Sequence, residues 1–86
     1  MIGHTVRMGF HVHAVATLSK PPNEALMSEL DHKFEVATHA TGTKLVDLTE
    51  HVSTPDEADA LAFVRALVLD ALPPGSTIRE ISATPD

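Results

Sequence analysis

At 86 residues and 9.2 kDa the chain has room for one domain with a small core; a chain this short buries only about 60–65% of the surface it exposes when unfolded, so a second source of stability such as dimerisation is expected. With no Cys there is no disulfide framework, thiolate nucleophile, iron–sulfur cluster or cysteine-based zinc site, and with no Trp, no Tyr and three Phe (Phe10, Phe34, Phe63) most stacking platforms for bases or sugars are missing. Twelve Asp and Glu against six scattered cations (Arg7, Lys20, Lys33, Lys44, Arg65, Arg79) give a net charge of −6, which excludes the clustered basic surface that nucleic-acid binding requires.

The first residues lack the basic region and apolar run of a secretory signal. The longest apolar stretches, Ala60 to Val64 and Ala66 to Leu69, are broken by Arg65 and Asp70 and fall far short of the ~20 residues of a membrane span. A soluble, cytoplasmic protein without a membrane partner is expected.

In chain order, residues ~5–18 alternate cleanly. Val6, Met8, Phe10, Val12, Ala14, Ala16 and Leu18 share one face, and Arg7, Gly9, His11, His13, Val15 and Thr17 the other. A period of two with one apolar face predicts a half-buried strand, unusually long unless it frays before Val6 or bends at Gly9. Pro21-Pro22 marks a boundary, and Leu26, Met27 and Leu30 then recur at helical spacing, predicting a short amphipathic helix over ~22–33. The β-branched residues that follow favour a strand over ~34–39, ending at the turn signal Thr41-Gly42.

Residues ~44–53 read as the next strand, with Val46, Leu48 and Val52 on one face and Leu45, Asp47, Thr49 and His51 on the other. A three-residue loop, Ala40-Thr41-Gly42, with Gly42 in the left-handed region, would oppose Val36 to Val46 and Phe34 to Leu48. That register also sets Glu35 against Asp47. A helix is predicted over ~55–72: Thr54 fits the N-cap, Pro55 the first helical position, and Glu57 completes a capping box. Ala60, Leu61, Phe63, Val64, Leu67, Val68 and Ala71 form its expected core face. The outer side carries Ala62, Ala66 and Leu69 with few charges, which fits a plain Ala-rich solvent face or a docking site for a partner helix.

After Pro73-Pro74-Gly75 a last strand is predicted over ~76–83, with Ile78 and Ile81 of opposite parity. Placing Ile78 inward leaves Ile81 on the opposite face.

Strand, helix, strand, strand, helix, strand is the order of a ferredoxin-like α+β sandwich: a four-stranded antiparallel sheet with both helices on one face and the first and third strands central. A βαβαβ arrangement, with the first helix prolonged to about Ala40, is the alternative. In the preferred fold, the helix-free face carries His11, His13 and Val15, then Leu45, Asp47, Thr49 and His51, with Glu35, Ala37, His39 and Ile81 beside them.

Two imidazoles two residues apart on a strand, about 7 Å apart at the backbone, can share a metal ion if a third ligand approaches. His11, His13, His51 and Asp47 could thus hold Zn or another divalent metal, at a site that could be hydrolytic. The plainer reading leaves these side chains on a solvated or partner-covered face. A His–Asp pair could also move protons, but there is no serine elbow and no glycine-rich cradle, so no complete catalytic constellation is present. A non-enzymatic interaction domain is therefore expected, most simply a homodimer without cofactor. Its candidate contact residues are Val15, Leu45 and Ile81 on the sheet and Ala62, Ala66 and Leu69 on the helix. If the sheet face makes the contact, dimer affinity falls below about pH 6, where imidazoles charge. An acidic inhibitor or decoy of a basic partner is a third reading, supported only by the −6 charge.

Overall fold

The computed structural model describes residues 9–85. Its elements run β1 (Phe10–Thr17), α1 (Glu24–Lys33), β2 (Val36–His39), β3 (Leu45–Val52), α2 (Glu57–Ala71) and β4 (Thr77–Pro85). The strands form one antiparallel sheet in the order β2-β3-β1-β4, a ferredoxin-like arrangement. The sequence reading of six elements in this order holds, and the long-helix alternative does not. Val6, Arg7 and Met8, read as the start of the first strand, lie outside the described residues.

Alternation along β1 builds the core. Val12, Ala14 and Ala16, followed by Leu18, are buried against Val46 and Leu48 of β3. Leu30 and Phe34 close the core from the α1 side, and Ala60, Val64, Val68 and Leu72 from the α2 side. Asn23 caps α1, its side-chain oxygen accepting from the Leu26 N–H at 2.8 Å. Phe34 ends this helix, donating its backbone N–H to Leu30 while its ring is buried.

That use of Phe34 changes the β2–β3 register. Val36 lies opposite Thr49, Ala37 opposite Leu48, Thr38 opposite Asp47 and His39 opposite Val46. The expected Val36–Val46 and Phe34–Leu48 pairs, and the Glu35–Asp47 opposition, do not form. A ring serving as the helix stop cannot also occupy a ladder position, so Ala37 takes the inward place and Val36 turns outward, 46% exposed. The connection is also longer than the three residues expected. Thr43 N–H donates to Ala40 O, with Gly42 at φ +83°, as a type II turn requires at its third residue. The Thr43 hydroxyl donates to Ala40 O at 2.7 Å, and His39 Nε2 donates to Thr43 O at 2.8 Å, bracing the loop from both ends.

Helix α2 begins two residues later than predicted. Asp56, not Thr54, is the N-cap, accepting from Ala58 N–H at 2.8 Å, while Thr54 accepts from Asp56 N–H one step outside the helix. A carboxylate is favoured at this position because it adds charge at the positive end of the helix dipole to the hydrogen bond. The second turn repeats the first in outline: Pro74 and Gly75 are its central residues, Gly75 sits at φ +91°, and Ser76 N–H donates to Pro73 O. A Cβ on Gly75 would lie 3.4 Å from that of Ser19, so the β1–α1 and α2–β4 connections are closely packed there.

The opposite parity of Ile78 and Ile81 is resolved by a bulge. Val15 pairs with Glu80 and Ala16 with Ile78, which leaves Arg79 as the extra residue. The sheet therefore turns both isoleucines to the core side, where they pack with Ala83 against the buried cluster. Ile81 does not join the helix-free face.

Candidate functional site

The helix-free face is built by the outward positions of β1 and β3 and their neighbours. His11 lies opposite His51, His13 opposite Thr49 and Val15 opposite Asp47, so these six side chains share one surface. From β4 come Thr84 beside His11, Ser82 beside His13 and Glu80 beside Val15. Val36 and Thr38 stand next to Thr49 and Asp47 from β2. Ala37 and His39, expected here, face the other way because of the register change.

Its polar groups fall into two neighbouring sets. His11 and His51 stack obliquely, with ring centroids 5.1 Å apart and planes 57° from parallel, and His11 Nδ1 is 3.6 Å from Glu35 Oε1. His13 Nε2 lies 3.3 Å from Asp47 Oδ1. The side chains of both His–carboxylate pairs are about half exposed, so each contact is screened and contributes little to stability. His11, His13, His51 and Asp47, the set expected to hold a metal, are on one face yet divided between these two sets. Among the described residues no group of three or more His, Asp or Glu side chains is spaced to hold a metal ion. Glu35 was not among the candidates. Strand alternation expects it on this face, and it reaches there from the bend between α1 and β2 rather than from a strand position.

Apolar side chains are few here. Val15 and Leu45 are half-buried, Val36 is exposed, and the rest of the face is His, Thr, Ser and carboxylate. Such a composition is that of a wet sheet face.

The outer side of α2 is different. Ala62, Ala66 and Leu69 are exposed as the sequence periodicity expects, and Phe63 joins them. Phe63 was expected in the core, but it stands about 100° around the helix from its neighbour Val64, the centre of the buried stripe Ala60, Val64 and Val68. Leu61 and Leu67, flanking that stripe more closely, fill the space beneath the helix instead. Phe63 is left 56% exposed and Leu69 49%. With Ala62 and Ala66 between them they span about 120° of the helix surface, with Asp59 and Asp70 in the same arc toward its two ends and Arg65 beside it.

Elsewhere a shallow cleft of about 150 Å³ opens between the β1–α1 loop and Pro73, lined by Leu18, Lys20, Pro21 and Leu26 among others. Ligand pockets run to roughly 300–1,000 Å³, so this one is too small for most small molecules. No described helix is long and apolar enough to cross a membrane. Comparisons with protein-family models, with curated proteins and with solved structures find no match to this chain.

Proposed function

We propose that this small α+β domain is a non-enzymatic association module that works as a homodimer, with the outer face of α2 covered in the contact. The observation that carries the reading is the pair Phe63 and Leu69. They are two of the three large hydrophobic side chains exposed among the described residues, and they lie together on one helix. Single exposed apolar residues are ordinary, whereas two large ones on the outer side of one helix, with small residues between them, favour an interaction surface. Ala62 and Ala66 between them let another backbone approach closely.

A second copy is the favoured occupant because of where α2 lies. It packs over β1 and β4, and β4 is an edge of the sheet. A copy arriving at that edge brings its own α2 alongside, so the flank of each band turned toward the edge meets its counterpart in one symmetric contact. Two-fold dimers are also the commonest closed assembly. The test is sedimentation equilibrium of the wild type and of Phe63→Asp. The wild type is expected to be dimeric and the variant to raise the dissociation constant at least ~30-fold, as loss of a central aromatic contact does. A wild type that stays monomeric at every concentration would remove the proposal.

A further inference from the structure

β4 is nine residues long and forms one edge of the described sheet. An exposed edge is a row of unpaired N–H and C=O groups, and native proteins blunt it with charges, bulges or proline. β4 carries all three, in Arg79 and Glu80, the bulge at Arg79, and Pro85. Their order, however, makes the strand complementary to itself. Ile78-Arg79-Glu80-Ile81 runs apolar, positive, negative, apolar. In an antiparallel two-fold pairing centred between Arg79 and Glu80, each Arg79 faces Glu80 of the second copy, each Ile78 faces Ile81, and each Thr77 faces Ser82. A shift of one residue sets Arg79 against Arg79 or Glu80 against Glu80, and like charges directly opposite are destabilising.

The bulge makes this register geometrically consistent. In a regular strand Ile78 and Ile81 point to opposite faces, so the pairing would set an inward side chain against an outward one. Here both turn inward onto the core, beneath α2. The isoleucine contacts would extend the two cores across the seam, with the charges between them. Pro85 lies beyond the Thr77–Ser82 stretch, so its missing N–H is not needed.

We propose that two copies join along β4 in this register, merging two four-stranded sheets into one and placing both α2 helices on the same side of it. The inference rests on the homodimer reading above and names its seam. The test is a charge-swap cycle read by sedimentation equilibrium: wild type, Arg79→Glu, Glu80→Arg and the double variant, each checked for wild-type far-UV circular dichroism. Either single change creates two like-charge contacts in the symmetric pair and should weaken the dimer about tenfold or more, while the double variant restores opposite charges and should return to within about threefold of wild type. If the double variant is no better than the singles, or all four proteins dimerise equally, the β4 seam is overturned while the homodimer reading stands. A monomeric wild type overturns both.

Discussion

The helix-free sheet face and the outer face of α2 both meet solvent in the single chain, but they are made of different material. On the sheet, the outward positions hold His11, His13, His51, Asp47 and Thr49, with Glu35 reaching over from the α1–β2 bend, so that His13 pairs with Asp47 at 3.3 Å and His11 with Glu35 at 3.6 Å. On α2 the outward positions hold Phe63, Leu69 and two alanines among Asp59, Arg65 and Asp70, and those apolar side chains cannot pair in this way. The face with the richer chemistry is thus the one better suited to stand in water, and the chemically plain helix has more to gain from being covered.

The comparison can be broken at several strengths. The largest effect belongs to the core that both faces share: Leu48→Ala removes a fully buried side chain and should cost about 2–5 kcal/mol in urea unfolding. Phe63→Ala, on the same scale, should change the unfolding free energy of the monomer by less than about 0.5 kcal/mol, because a surface position has no cavity to create. A loss near that of Leu48→Ala would return Phe63 to the core and dissolve the α2 band.

Next in size is the anchor that sets where α2 begins. Asp56→Ala should destabilise the protein by about 1 kcal/mol, and Thr54→Ala by clearly less, since Asp56 alone holds an N–H inside the first turn. Equal losses in thermal or urea melts would argue for the capping box read from the sequence.

The smallest effects are expected on the sheet face. His13→Ala should shift stability by less than about 0.5 kcal/mol, as for other half-exposed ion pairs, and leave the dimer unchanged. None of the residues placed in the contact, from Ala62 to Leu69 on α2 and from Thr77 to Ser82 on β4, is a histidine. The dimer dissociation constant should therefore stay within about threefold between about pH 5.5 and about pH 8, although imidazoles charge near pH 6.5. A larger change across that range would argue against a contact made by α2 and β4 alone.

Much of the fold was legible because alternation and turn chemistry act locally. The inward run Val12, Ala14, Ala16 and Leu18, the stop at Pro21-Pro22, the left-handed Gly42 and the break at Pro73-Pro74-Gly75 each follow from a few adjacent residues. What escaped was set by competition between elements. Phe34 was needed both as a strand residue and as the plug that ends α1, and the helix won, moving β2 by three positions relative to β3. The parity of Ile78 and Ile81 forced a choice that a regular strand cannot avoid, and a bulge at Arg79 avoided it by turning both toward the core. Phe63 sat at the margin of a broad helical stripe, where only the width of the layer beneath decides between core and solvent. Of the candidate site residues, His11, His13, Asp47 and His51 were placed on the correct face, and strand alternation explains why. Their division into two sets depended on Glu35, which lies outside any regular strand.

The most direct test of the claim that this domain associates through α2 and the adjoining β4 edge is a dilution series of amide 1H–15N NMR spectra on the wild-type chain. Concentration-dependent shifts should concentrate at Ala62–Leu69 and Thr77–Ser82, with His11, His13, Asp47 and His51 nearly still. Shifts centred on those four residues instead, or spectra that do not change with concentration, would contradict it.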